Sequence, residues 1–350
     1  MLDSTELIRQ LVALPGPPGE ENAVREGLAE RLRALDYAPA IDSKGNLCVR
    51  LGGAAGPGRP SVLVTAHLDE IALMITRIEE DGKIRVAPLG GAYTWKWGEG
   101  PVSILARLGP LPGILSYGSI HTNAEESVVE KARHQPLKWE QTYVFTGLDA
   151  PALAAAGARP GLRVVLAPSR RLVTEFGPFV ASYFLDDRAD LAVWLMALEI
   201  LRQEDTGGWG PVTFAATASE EVGGDGAQYL LHAQPANICV ALEIGPRTPE
   251  ADFPIDSQPT LWVRDGYAAM EAVDGEVLAD CCAELGQRPH WQFLSRGGSD
   301  ASCAASKGLT ARPVTLGLPV ENSHGYEIMH RDAPAELLRL LLAYLRRLVS

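Results

Sequence analysis

Apolar positions recur at helical spacing near the start of the chain, where Leu7, Ile8, Leu11 and Val12 share a face behind Ser4, a residue able to cap a helix. The Pro/Gly-rich residues 15–19 stop that helix, and a second is expected from about Asn22, with Val24, Leu28, Leu32 and Leu35 aligned. Residues 46–51 read as a short strand and residues 52–60 as a turn. The run 61–66 is apolar at nearly every position, as a strand covered on both faces must be, and it stops at His67-Leu68-Asp69-Glu70. The run 212–218 behaves alike and stops at Ser219-Glu220-Glu221, before a glycine-rich turn that starts a helix; the run 238–242 stops at Glu243. Asp186-Asp187-Arg188 precedes a helix with Leu191, Leu195, Leu198 and Leu201 on one face. Another helix is expected over 275–285. A strand near 311–316 leads to Asn322-Ser323-His324-Gly325, and a terminal helix starts after Asp332-Ala333-Pro334.

Between residues 71 and 172 the pattern changes. Short β-like runs (83–87, 102–107, 162–167) alternate with Gly and Pro, and the helical signal shrinks to residues 151–158. The pattern therefore predicts a catalytic α/β domain from residues 1–70 and 173–350, interrupted by a small all-β domain, barrel or sandwich, over 71–172.

With 350 residues, 46% of them hydrophobic, the chain can bury a large core. A net charge of −13 excludes the clustered Lys and Arg of a nucleic-acid footprint. The five cysteines are odd in number and form no C-x-x-C pair, which argues against a disulfide framework and for a reducing, cytoplasmic setting. The acidic, polar first residues do not read as a signal peptide, and no apolar run is long enough to span a membrane.

The polar residues at strand ends change the picture most. Singly, a histidine after a strand or a pair of glutamates in a turn is commonplace. Together they form an ordered set: H-x-D after one strand, D-D before a helix, E-E after a strand, an acid ending the next, and a late histidine. Two adjacent divalent ions need one shared carboxylate and terminal N or O ligands on each side. Asp186 supplies the shared group, His67 and Glu243 serve one ion, and Glu221 and His324 the other. Asp69 is suited to accept the other imidazole N–H of His67. Glu220 is left as the general base that takes a proton from a water held between the ions and returns it to the leaving amine.

This series resembles metallopeptidase family 42, the glutamyl, deblocking and tetrahedral (TET) aminopeptidases. The resemblance rests on His67-Leu68-Asp69-Glu70, Gly90-Gly91, Asp186-Asp187-Arg188, Glu220-Glu221-Val222-Gly223, Gly297-Gly298-Ser299-Asp300-Ala301 and His324. It implies a zinc-peptidase-like α/β/α sandwich with a mixed sheet, whose inserted β domain serves dimerisation, often within a hollow dodecamer. It also implies two divalent ions per subunit, zinc foremost with cobalt or manganese as alternatives, and a cis peptide between Asp186 and Asp187. The chain departs from the family pattern at Glu243, where Asp is usual, and at Asp190, where Gly is common. Around the last ligand it reads Glu321-Asn322-Ser323-His324-Gly325-Tyr326-Glu327 instead of Arg-Tyr-x-His-Ser, similar to a divergent branch linked to osmoprotectant systems.

The leading expectation is a homo-oligomeric aminopeptidase acting on short peptides, without nucleic-acid or membrane partners. A carboxypeptidase, deacylase or amidohydrolase acting on a small N-acyl compound or dipeptide fits the same ligands, with Arg247 or Arg296 meeting a substrate carboxylate. An inactive scaffold or binding protein is the reading from another class.

Overall fold

The structure, a computed structural model, describes residues 3–53, 60–122, 124–125 and 127–349; of the turn expected over 52–60, residues 54–59 lie outside the described residues. The chain divides into two compact units, Met1–Glu70 with Val173–Ser350, and Ile71–Leu172.

In chain order the strands of the first unit are β1 (Ala40–Ile41), β2 (Leu47–Leu51) and β3 (Val62–His67) before the second unit intervenes. The second unit holds β4 (Ala72–Ile78), β5 (Ile84–Leu89), β6 (Gly100–Ala106), β7 (Gly109–Ser116), β8 (Tyr143–Phe145) and β9 (Arg163–Leu166). The first unit then resumes with β10 (Thr174–Phe176), β11 (Phe179–Ser182), β12 (Val212–Thr217) and β13 (Ile238–Pro246). It finishes with β14 (Thr260–Arg264), β15 (His290–Phe293), β16 (Arg312–Glu321) and β17 (Glu327–His330).

The first unit is built on an 11-stranded mixed sheet ordered β1-β2-β12-β3-β13-β16-β17-β11-β10, with β14 and β15 branching from β16. Its centre, β12-β3-β13-β16, is parallel. Alternation along these strands feeds two cores. Val62, Val64, Val212, Phe214, Ile238 and Val240 face one, under the helices Ser4–Val12, Leu185–Leu201 and Ala333–Val349. Leu63, Ala215, Cys239 and Ala241 face the other, under Asp225–Ala233 and Asp300–Ser306. Helices on both faces of a mixed sheet make the α/β/α sandwich expected.

Several local expectations need correction. The first helix is capped by Asp3, whose carboxylate accepts the Thr5 N–H at 3.0 Å, and Ser4 is already helical. The helix Leu185–Leu201 is buried all round, not along one leucine stripe, because alanines and Trp194 fill its other faces against the sheet and the flanking helices. Strand β13 does not stop at Glu243 but runs on to Pro246, since β16 pairs with it as far as Val320.

The second unit is a closed antiparallel barrel, β4-β5-β8-β7-β6-β9. Leu73 and Ile75, Ile84 and Val86, Val102 and Ile104, and Val164 and Leu166 are buried at alternate positions, so side chains fill its interior. The expected helical segment is the helix Ala150–Ala155. Among the described residues no helix is long and apolar enough to cross a membrane.

Candidate metal centre

The parallel centre of the sheet delivers chemistry to one edge, because the carboxyl ends of parallel strands point the same way. His67 is the last residue of β3 and pairs with Thr217, the last residue of β12, which runs directly into Ser219-Glu220-Glu221. On the other side Ala241 of β13 pairs with Thr65, so Glu243 and His67 each lie two residues beyond one paired rung.

The buried His67 ring sits between two acidic segments. Its Nε2 is 3.0 Å from Asp186 Oδ1, and its Nδ1 lies 3.0 Å from the backbone carbonyl of Asp69 and 3.5 Å from that residue's carboxylate. The Asp69 carboxylate itself accepts the backbone N–H of Glu220 at 2.9 Å and of Glu221 at 3.1 Å. The H-x-D turn and the E-E turn are thus joined by one buried side chain. Behind them the fully buried Arg188 donates to the Glu70 carboxylate at 2.6 Å and to the carbonyls of Leu68 and Asp69.

Asp186 and Asp187 are joined by a cis peptide, and neither has helical backbone angles. Asp187 turns inward and accepts the His67 backbone N–H at 2.5 Å. From the far side, His324 brings its Nε2 to 3.5 Å from Asp186 Oδ2. Glu327, three residues later, is also buried; it accepts the Asp186 N–H at 3.0 Å and the His324 N–H at 2.9 Å.

Two groups of potential ligand atoms, each within 4.8 Å of one another, result: His67, Asp186, Asp187 and Glu243 in one, and Asp186, Glu221 and His324 in the other. Asp186 is common to both and Glu220 belongs to neither. The sequence singled out His67, Asp186, Glu221, Glu243 and His324 as ligands, but Asp187 and Glu327 only as motif neighbours. Glu327 carried one weak signal, an acid three residues after the candidate histidine.

The donor set fits divalent cations. Burial raises the carboxyls of Asp187, Glu220, Glu221 and Glu243 well above the usual carboxylate range, and each is raised further by neighbouring acids. Burial opposes charge on His67, yet Asp187, Asp186 and Asp69 outweigh it and raise the imidazole well above its ordinary value. Asp187 Oδ1 is buried without a hydrogen-bond partner. Acids crowded this closely are relieved by bound cations, the largest charges such a site can receive. The cluster of buried acids and histidines could therefore hold metal.

The two arginines considered for substrate binding lie differently. Arg247 is held by Asp252 at 2.6 Å and faces Glu321 at 3.4 Å, whereas Arg296 is exposed.

The chain is 24% identical to a putative aminopeptidase, FrvX, of Escherichia coli (strain K12) over 355 residues, covering 99% of this chain and 96% of that protein. It is 26% identical over 241 residues to the lysyl aminopeptidase of Pyrococcus furiosus, a match covering 68% of this chain and 66% of that protein. The fold matches the Pyrococcus horikoshii TET1 peptidase, a protein described as assembling into a tetrahedron or a large octahedral shell, with a TM-score of 0.84 at 24% identity over 97% of this chain and 98% of that one. Residues 45–340, a span holding every member of both ligand groups, match the family model for M42 glutamyl aminopeptidases, and the chain accordingly belongs to that family of peptide hydrolases.

Proposed function

We propose that the chain is a cocatalytic dinuclear metalloaminopeptidase that removes N-terminal residues from short peptides. The observation that carries this reading is the pair of ligand groups sharing Asp186. His67 and Glu243, with Asp187 beside them, would hold one ion, Glu221 and His324 the second, and Asp186 both. When bound, two divalent ions, zinc foremost with cobalt or manganese as alternatives, would polarise the scissile carbonyl and make water more acidic.

Glu220 shares the Asp69 carboxylate with Glu221 through adjacent N–H groups, yet belongs to neither ligand group. Its carboxylate stays available to take the proton of the attacking water and hand it to the leaving amine. Without bound ions, burial raises Glu220 well above the usual range, with His67 opposing and Asp300, Glu221 and Asp69 adding. Asp69 fixes the Glu220-Glu221 turn and lies behind the His67 ring.

The barrel Ile71–Leu172 serves assembly into a homo-oligomer, from a dimer up to a dodecamer; exposed Tyr93, Trp95, Leu108 and Ile120 on that unit support the reading. Five free cysteines suit a reducing cytoplasm. A deacylase would need a cation for a substrate carboxylate; Arg247 is already engaged by Asp252 and Glu321, which leaves the exposed Arg296 as its candidate.

The test is turnover. Purified protein loaded with Zn²⁺, Co²⁺ or Mn²⁺ should release p-nitroaniline from Leu- or Glu-p-nitroanilide and leave N-acetylated dipeptides intact. No turnover of any free-amine substrate, with hydrolysis of the acetylated series, overturns the aminopeptidase reading in favour of the deacylase.

A further inference from the structure

We infer that Glu327 is a positioning residue that locks Asp186 and His324 into one arrangement, and so sets the affinity of the second metal site; the inference rests on the dinuclear reading above. Its carboxylate is 1% exposed, and the two oxygens hold different segments. Oε2 accepts the backbone N–H of Asp186 at 3.0 Å, and Oε1 accepts the backbone N–H of His324 at 2.9 Å. A carboxylate is taken out of water only where hydrogen bonds replace its hydration, and these two come from segments far apart in the chain.

Both partners need an external hold. Asp186 has non-helical backbone angles and lies two residues after Phe184, whose φ is +63°. No regular helix or ladder bond fixes its N–H. His324 has a φ of +59°, the left-handed region that costs a non-glycine residue about 1–2 kcal/mol. Its turn is closed by the Gly325 N–H donating to the Asn322 carbonyl. Glu327 itself is anchored as the first residue of β17, paired with Ser182 of β11. One rigid strand end therefore holds both sides of the contact between His324 Nε2 and Asp186 Oδ2.

The effect is selective. His67 ends a central strand and is held again by Asp187, and Glu243 lies inside β13, paired in parallel with Gly317 of β16. Neither depends on Glu327. Asp186 is shared, but three of the four members of the first group lie outside the reach of Glu327, whereas two of the three members of the Asp186–Glu221–His324 group are held by it, so the second site loses more when that carboxylate is changed.

Glu327→Gln keeps the volume but turns one acceptor into an amide that opposes an N–H. Outer partners of metal ligands typically contribute about 10–100-fold in metal affinity. Cobalt titration of the full-length apoprotein, followed by visible absorption, should show the first equivalent binding E327Q nearly as tightly as it binds the wild type. The second should be weakened about 10–100-fold. With Leu-p-nitroanilide, kcat at limiting Co²⁺ should fall and recover in excess Co²⁺, with KM unchanged. Glu327→Ala should be more severe; if it fails to fold, E327Q alone decides. Glu321→Gln, an exposed change on the neighbouring strand, serves as the control. Two equivalents bound by E327Q at wild-type affinity, or both weakened equally, overturn the inference. A wild type that binds a single ion overturns the dinuclear reading and this inference with it.

Discussion

Arg188→Met measures how much of the site stands on one buried guanidinium. The side chain is fully buried and donates to Glu70 at 2.6 Å, to Leu68 O at 2.8 Å, to Asp69 O at 3.2 Å and to Leu14 O at 3.5 Å. Methionine keeps much of the volume, so the cavity is small and the electrostatic loss dominates. The Glu70 carboxylate, also fully buried, then loses its cation, and removing one partner of a buried pair costs about 3–5 kcal/mol. In a unit of about 250 residues each kcal/mol lowers Tm by about 2–4 °C, which gives a fall of roughly 6–20 °C. Melting should be followed by near-ultraviolet circular dichroism in the presence of a chelator, so that metal binding does not add to the folded state. The double variant Arg188→Met/Glu70→Gln should recover at least half the loss, since it removes the stranded charge as well. A single variant within about 1 kcal/mol of wild type, or a double variant no better than the single, refutes the reasoning.

Glu220→Gln should keep full metal content and lower kcat by about 10²–10⁴-fold; loss of metal with activity per metal retained would mean that the roles of Glu220 and Glu221 are reversed. Asp69→Asn turns one of two N–H acceptors into a donor facing the Glu220-Glu221 turn, and should lower kcat/KM about 10–100-fold, as for other groups that orient ligands, with wild-type kinetics as the refuting result. Burial pushes the Asp190 carboxyl up to about 8, so the folded chain holds a proton there that the unfolded chain releases near pH 4. That contribution to stability is present at low pH and is lost as pH rises toward 8. Asp190→Asn should therefore gain on wild type between pH 5 and pH 8 by a few kcal/mol, read from urea melts in chelator; parallel stability curves would refute it.

Much of this was legible because buried parallel strands leave an unusual trace. Residues 61–66 and 212–218 are apolar on both faces and then stop at polar residues, so the strand ends, and with them His67 and Glu220-Glu221, announce themselves. Glu243 was found for a partly wrong reason: β13 continues past it, because a Gly-Pro sequence that reads as a stop is carried along by pairing to β16. Asp187 was hidden, since adjacent residues ordinarily face apart, whereas here both aspartates have non-helical angles and fall into one group. Glu327 was hidden for a different reason. Its partners are backbone N–H groups, one of them 141 residues away, and backbone donors leave no mark in a sequence. The Glu70–Arg188 pair shows the same limit, as two motif residues whose connection only folding makes.

The division of the site into two halves follows from Asp186 alone. Burial raises this carboxyl as it raises its neighbours, yet the hydrogen bond and charge of His67, then His324 and Arg188, outweigh burial and hold Asp186 below the ordinary range. Asp187, Glu221 and Glu243, equally crowded, go the other way. The difference lies in what faces each oxygen: Oδ1 meets His67 at 3.0 Å, and Oδ2 meets His324 at 3.5 Å. A carboxylate kept ionised between two imidazoles, one per oxygen, is what the dinuclear reading proposed above asks of a shared ligand. On that reading the surrounding acids, which would otherwise retain protons, would supply the remaining negative charge that two dications require.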